Sequence, residues 1–455
     1  MVFGEKIYDY KDEIIEGLCE LVRFPSVMSE PEDKAPFGAE CSRILKHVLK
    51  VAKKMGFKTK NINNYAGYAE YGTGEKTVAV FVHLDVVPAG DESKWDSNPF
   101  IPVIKDGKIF GRGTADNKCS AYSALYAMKI IKDSGIDLGD KRIRVVFGTN
   151  EERGMEDMKY YFTKEPLPYW GFVPDIGYII PNVEKGLWQG TVTGKDSEDS
   201  CIISIHAGEA MNSTPDNCEI VIKNNDELYN KLVELTKENE KAEVSLNDDG
   251  NIVLKTKGQR ANAIHPDPSC NAFYTAMKIV EEIKDDGIVK IFKTNLNHEI
   301  NGKLLGIYCN EECGGELTVC ICKCHMENGE FTMSYCIRYG ALCNFDMMKK
   351  CFEMAWSRFN CSVNELKNIS PMYHPKNSEL IDRLTRAGES VYGNKPEIHF
   401  TFGGTYARQA QGRVVAFGGC CGGNIHSPNE FVYIDALMKD AALILQCMWE
   451  LCQPE

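Results

Sequence analysis

The chain has 455 residues, 26% of them charged, with a formal net charge of −13. That length exceeds what one hydrophobic core usually covers, so two domains are expected, and the acidity argues against nucleic acid or an anionic membrane as partner. No run approaches the roughly 18 apolar residues of a membrane span, and the opening Met-Val-Phe-Gly-Glu-Lys has no basic stretch before an apolar core, so a cytoplasmic protein is expected.

Glu13–Val22 carries Ile14, Ile15, Leu18, Leu21 and Val22 at helical spacing, with Pro25 beyond it as a stop. Cys41–Met55 repeats the pattern through Ile44, Leu45, Val48, Leu49 and Ala52. Thr77–Val82 reads as a buried strand, Ala121–Ile131 as a third helix and Ile143–Phe147 as the next strand. Helices alternating with short β-branched runs predict a mainly parallel sheet flanked by helices. Between about 188 and 377 the texture changes. Strand-like runs at 201–206, 218–222 and 251–255 surround a helix at Glu227–Glu238. Further strands are expected near 317–324 and 331–337, then a helix near Phe345–Phe359. This predicts an α+β domain, 188–377, inserted into a discontinuous first domain made of 1–187 and 378–455. The chain closes on an amphipathic helix, Tyr433–Leu451.

Nineteen cysteines without a signal peptide favour free thiols, and the odd total forbids complete pairing. The densest group is Cys309, Cys313, Cys320, Cys322 and Cys324, followed by His325. Cys320, Cys322 and Cys324 alternate, which predicts one shared strand face before a turn at Asn328-Gly329. No CxxC pair matches common zinc spacing, so these read as small buried hydrophobes.

Seven metal-friendly side chains sit near the ends of apolar runs: His83, Asp85, Asp116, Glu151, Glu152, Asp175 and His426. Open α/β sheets place their chemistry at the carboxyl ends of strands, so ligands scattered in sequence can converge there. His83-x-Asp85 puts an imidazole and a carboxylate on one face of an extended segment. Adjacent carboxylates at Glu151-Glu152 point in different directions, so one can bind metal while the other handles protons. Singly, each has a plainer reading: a solvated strand end, a helix cap at Asp116, surface charge, a structural histidine. Their joint occurrence carries the hypothesis. Two histidines with several carboxylates suit Zn²⁺ or Mn²⁺.

The stretches Val-His83-Leu-Asp85-Val-Val-Pro-Ala-Gly, Trp95-Asp-Ser-Asn-Pro-Phe100, Gly-Arg-Gly-Thr-Ala-Asp116-Asn-Lys, Gly-Thr-Asn-Glu151-Glu152, Pro174-Asp175 with Glu184-Lys-Gly186, Phe402-Gly-Gly-Thr-Tyr-Ala-Arg408 and His426-Ser-Pro-Asn-Glu430 resemble the aminoacylase/carboxypeptidase family of co-catalytic zinc hydrolases. Within that family the chain is most similar to the bacterial dipeptidase V type, nearly end to end. The resemblance implies an α/β fold: a phosphorylase/hydrolase-like catalytic domain with a mainly parallel sheet, plus an inserted α+β, ferredoxin-like lid. It implies two divalent ions, zinc with Mn²⁺ or Co²⁺ as alternatives. His83 and Asp175 would hold one, Glu152 and His426 the other, and Asp116 would bridge them beside a cis peptide to Asn117. Asp85 would orient His83, and Glu151 would be the general base. Asn212, Arg260 and Arg338 of the lid would meet substrate, as would Gly403, Gly404, Thr405 and Arg408, with Arg408 clamping a substrate carboxylate. The implied protein is a monomeric dipeptidase.

Three positions depart from the family pattern. Arg260 stands where a lid histidine is usual, Asn117 where aspartate is frequent, and Cys119 where glycine is common. Two other functions therefore stay open at this point. One is an N-acyl-amino-acid amidohydrolase using the same metals. The other, motivated by Arg260, is a metal-loaded protein that binds peptide with little turnover.

Overall fold

The computed structural model describes residues 2–454. The strand Lys76–His83 lies inside a six-stranded sheet in the order Lys58–Ile62, Ala66–Tyr71, Lys141–Gly148, Lys76–His83, Trp170–Val173, Val414–Ala416. The last four strands run parallel to one another. Both faces of this parallel part are covered. Val78, Val80 and Val82 point into one apolar cluster, while Ala79 and Phe81 point into another. That is why the run is continuously apolar instead of alternating.

The first cluster is filled by the helices Lys11–Val22, Ala39–Lys54, Lys118–Asp133, Glu379–Tyr392 and Ile434–Cys452. The second receives Met158 and Tyr161 of the short helix Glu156–Tyr161 and the Tyr406–Ala410 turn. The sheet is mainly parallel, as the sequence pattern predicts, with an antiparallel edge. Lys58–Ile62 and Ala66–Tyr71 form a hairpin and add to its edge antiparallel. Asn63 and Asn64, at φ +51° and +59°, make the turn, which needs no crossover helix.

A four-stranded sheet in the order Gly422–Gly423, Phe431–Tyr433, Lys108–Phe110, Val103–Lys105 matters for the site. It ties the segment that precedes Asp116 to the two sides of the loop carrying His426.

The chain divides into two units. One comprises Met1–Asn182, Met372–His399 and Gly403–Glu455; the other comprises Val183–Pro371 with Phe400–Phe402. The sequence pattern put the divisions at 187/188 and 377/378, a few residues later in each case.

The second unit is built on an eight-stranded antiparallel sheet. Its order is Ala242–Leu246, Ile252–Lys257, Asn217–Ile222, Ile202–Ala207, Thr318–Glu327, Glu330–Tyr339, Gly186–Lys195, Ser362–Ile369. Helices Asp226–Thr236, Ala272–Val280, Gly287–Asn295 and Phe345–Ser357 share one apolar cluster with it. The hairpin at Asn328-Gly329 is present, with φ of +52° and +74° at the turn.

The expectation that Cys320, Cys322 and Cys324 share a face is corrected. The pairing of Thr318–Glu327 with Glu330–Tyr339 shifts register between Ile321 and Lys323, so the parity of the side chains changes there. Cys320 and Cys322 join a small cluster with Leu187, Ala263 and Cys336, whereas Cys324 points into the main core. All nineteen cysteines are free thiols. No helix among the described residues is long and apolar enough to cross a membrane.

Phe147 is fully buried in the strand Lys141–Gly148, one residue before its carboxyl end. Its replacement by Ala is expected to lower stability by about 3–5 kcal/mol in urea unfolding, the usual cost of emptying an aromatic site. A loss well under 1 kcal/mol would contradict the packing described.

Candidate metal centre

The site begins with strand register. His83 pairs with Gly148 across two parallel strands, so their carboxyl ends are level and the chain leaves them as Leu84-Asp85 and Thr149–Glu152. The neighbouring strand Trp170–Val173 delivers Asp175 two residues beyond its end. Asp85 is buried and couples two of these exits. Its Oδ1 accepts from the Glu151 N–H at 3.1 Å and its Oδ2 from the Glu152 N–H at 3.1 Å. The carboxylate thus fixes the backbone of the Glu-Glu pair. The His83 ring is approached more closely by the Asp85 main-chain oxygen, 3.0 Å from Nδ1, than by the carboxylate at 3.6 Å. A carbonyl holds the Nδ1 proton as a carboxylate would, and directs Nε2 outward.

Asp116 stands at the centre. Its Oδ1 lies 2.9 Å from His83 Nε2, and its Oδ2 lies 3.0 Å from His426 Nε2. Asp175 Oδ2 is 3.5 Å from the same His83 nitrogen. Glu152 Oε1 is 3.0 Å from the same His426 nitrogen. Two imidazole nitrogens therefore each meet two carboxylates, and one carboxylate is common to both. The peptide bond from Asp116 to Asn117 is cis.

Carboxylates accept and do not donate, so nitrogens this close must carry protons or meet a cation. Burial alone would push the His83 pKa down. The charge of Asp175 and hydrogen bonds to Asp116, Asp175 and Asp85 outweigh it and hold His83 well above its ordinary value. Hydrogen bonds to Asp116 and then Glu152 raise His426 to about 10. Asp116 is held below the carboxylate range, its burial outweighed by hydrogen bonds to His426 and His83. Burial, then the charge of Asp116, lifts Asp175 to about 6. Glu151 rises well above its usual value through burial; His83 opposes this, and Asp175, Glu152 and Asp116 reinforce it. This is an acidic pocket organised around positive charge. Its mix of imidazole and carboxylate donors fits a divalent metal of the Zn²⁺, Mn²⁺ or Co²⁺ kind. Ligand atoms of His83, Asp116 and Glu152 all lie within 4.8 Å of one another.

Several supporting residues carry no role in the sequence reading. Glu430 was visible only as the end of a motif. Its Oε1 accepts from the N–H groups of Gly113 at 3.1 Å, Ala115 at 3.0 Å and Asp116 at 3.3 Å. Its Oε2 accepts from Arg112 Nη1 at 2.6 Å, in a pair that is almost fully buried. Gly113 is needed here, because at its φ of +84° a Cβ would stand 2.6 Å from a Val86 methyl. Asn117 donates Nδ2 to Asp175 Oδ1 at 2.7 Å, a bond that an aspartate in its place could not offer when ionised. Asp157 Oδ2 accepts from the N–H groups of Thr149 at 2.7 Å and Asn150 at 2.9 Å and from the Tyr406 hydroxyl, and so braces the turn into Glu151.

Gly403, Gly404, Thr405 and Arg408 form one turn of the first unit. Thr405 caps it through the Ala407 N–H at 3.2 Å, and Arg408 Nη2 donates to the Gly403 carbonyl at 3.0 Å. Asn212, Arg260 and Arg338 belong to the second unit. Asn212 and Arg260 are exposed, and Arg338 Nη1 donates to the Phe402 carbonyl at 2.8 Å. Cys119 is buried with Sγ directed at the Ala115 carbonyl, whereas Cys420 Sγ lies 3.8 Å from Asp175 Oδ1.

The family model described as peptidase family M20/M25/M40 matches residues 79–450. The chain belongs to this peptidase family. A Bacillus subtilis (strain 168) protein named "Putative dipeptidase YtjP" is 30% identical to this M20/M25/M40 peptidase over 460 residues, covering 97% of this chain and 98% of its own. A Staphylococcus epidermidis protein named "Putative dipeptidase" is 30% identical over 478 residues, covering 99% of each. The aminoacylhistidine dipeptidase of Vibrio alginolyticus matches in structure with a TM-score of 0.62 at 14% identity, over 97% of this chain and 96% of that one. At that identity the likeness speaks for the fold.

The peptidase makes a pH prediction through Asp157. Burial, reinforced by the charge of Asp85, raises this carboxyl to about 7 against the opposing Tyr406 and main-chain hydrogen bonds. Between its ordinary value and about 7 the folded chain binds a proton there that the unfolded chain has lost, so stability from this group falls as pH rises. Asp157→Asn cannot ionise. Its stability relative to wild type is expected to improve between about pH 4 and about pH 7 in urea unfolding. A stability difference independent of pH would contradict the assignment.

Proposed function

We propose that this peptidase is a metal-dependent dipeptidase whose centre takes two divalent ions, zinc by donor chemistry, with Mn²⁺ and Co²⁺ as acceptable substitutes. The observation that carries the two-ion reading is Asp116, with an imidazole Nε2 within 3.0 Å of each carboxylate oxygen. His83 and Asp175 would hold one ion and His426 and Glu152 the other, with Asp116 available to both. The names of the relatives support dipeptides as the substrate class.

Bound at these residues, such ions supply Lewis acidity, polarising the scissile carbonyl and making water easier to deprotonate. The remaining work falls to the chain. Asp85 holds the Glu151 and Glu152 N–H groups, so that Glu152 serves as ligand while Glu151 stays free to move a proton. The Glu151 carboxylate takes the proton of the attacking water and returns it to the leaving amine, as general base and then general acid. Burial and neighbouring carboxylates make it a stronger base than an exposed glutamate. Arg408, carried on the Gly403–Thr405 turn, pairs with the free carboxylate of the substrate. The second unit is the substrate-binding lid of this reading. Asn212, Arg260 and Arg338 are its polar contacts on the strength of their family positions.

Glu151→Gln is expected to lower kcat by about 10²–10⁴-fold with metal content unchanged, since it removes a base and no ligand. Elemental analysis showing both ions lost in that variant would overturn the division of labour. Asp116→Ala is expected to lose both ions together. A variant that keeps two tightly held ions would rule out the bridging role.

A further inference from the structure

The second unit carries a histidine pair that this function does not use. His206 and His325 are directly opposed on the adjacent antiparallel strands Ile202–Ala207 and Thr318–Glu327, and both are exposed. Their Nδ1 atoms face each other at 3.1 Å, with ring centroids 4.6 Å apart and planes at 63°. Glu327, two residues along on the same face, places Oε1 3.6 Å from the other nitrogen of His206. Glu219 is the partner of His206 on the next strand, and its Oε2 lies 3.2 Å from Lys255 Nζ.

We propose that His206 and His325 form a second divalent-cation site on the sheet of the second unit, one that takes a borderline ion such as Zn²⁺ through both Nδ1 atoms. Three observations converge. First, the nitrogens are spaced for one ion. With Zn–N bonds of about 2.0–2.1 Å, a 3.1 Å separation gives an N–Zn–N angle of about 100°, close to tetrahedral. Second, the Glu327 carboxylate, with Oε1 3.6 Å from Nε2 of His206, places negative charge beside the pair, which favours a cation there. Third, the rings stand on neighbouring strands in continuous register from Ser204–Glu327 to Ala207–Cys324, which fixes their separation better than a loop would. Water completes the coordination at this exposed position. A single proton shared between the rings would produce the same spacing, and the ion competes with that proton. Binding would join the two strands through their side chains and stabilise the second unit by mass action.

The test uses the full chain with its first-unit centre already loaded. The protein is dialysed against micromolar free Zn²⁺, and bound metal is counted by elemental analysis. Wild type is expected to hold one equivalent more than His206→Ala or His325→Ala, with dipeptide hydrolysis the same in all three. Glu327→Gln is expected to keep the site with about 10–100-fold weaker affinity. Cu²⁺ offered in place of Zn²⁺ is expected to give an electron paramagnetic resonance signal with coupling to two nitrogens, lost in either alanine variant. Equal metal content in wild type and both alanine variants would overturn the proposal and leave the pair as a proton-sharing contact. So would an extra equivalent that survives both substitutions.

Discussion

Asp116 has an imidazole nitrogen against each of its two carboxylate oxygens, and much of the first unit is arranged to keep it there. From behind, Glu430 gathers the N–H groups of Gly113, Ala115 and Asp116 and is itself locked to Arg112. The small antiparallel sheet delivers His426 from a distant part of the sequence. Parallel register delivers His83 and Asp175 from neighbouring strand ends. If Asp116 moved by the width of one atom, the two histidines would lose their common partner.

The arrangement is costly in isolation. Buried carboxylates repel, and here burial, reinforced by neighbouring carboxylates, lifts Asp175 and Glu151 above their ordinary values. Positive charge on the histidines would offset part of that repulsion, and a divalent cation would offset more of it. Stability and function therefore pull on the same groups. Asp85, Glu430 and Asp157 support the cluster mainly by accepting main-chain N–H groups. This is a rigid form of support, because a backbone donor cannot swing away as a side chain can.

Much of this arrangement is legible in the sequence alone. Continuous apolar runs ending in His83 and in Thr149–Glu152 mark buried parallel strands, and those elements have the expected type to within a few residues at their ends. What escaped the sequence shares a common cause. Glu430 lies more than 300 residues from the loop it organises, so no local pattern ties it to Arg112. Asp157 lies in a short helix with no motif to mark it, yet it is buried and accepts from the Tyr406 hydroxyl. The single bulge between Ile321 and Lys323 reverses side-chain parity, which an alternation rule cannot foresee. The edge hairpin at Asn63-Asn64 breaks the parallel rule because a tight turn substitutes for a crossover.

The most direct measurement of the central claim is hydrolysis of a small dipeptide panel by metal-free protein, with Zn²⁺ or Mn²⁺ restored stepwise and N-acetylated counterparts alongside. The account predicts no cleavage without metal, full activity as the second equivalent is added, and preference for peptides with a free amine. Cleavage by the metal-free protein, or full activity with a single equivalent, would contradict a centre in which Asp116 joins two ions.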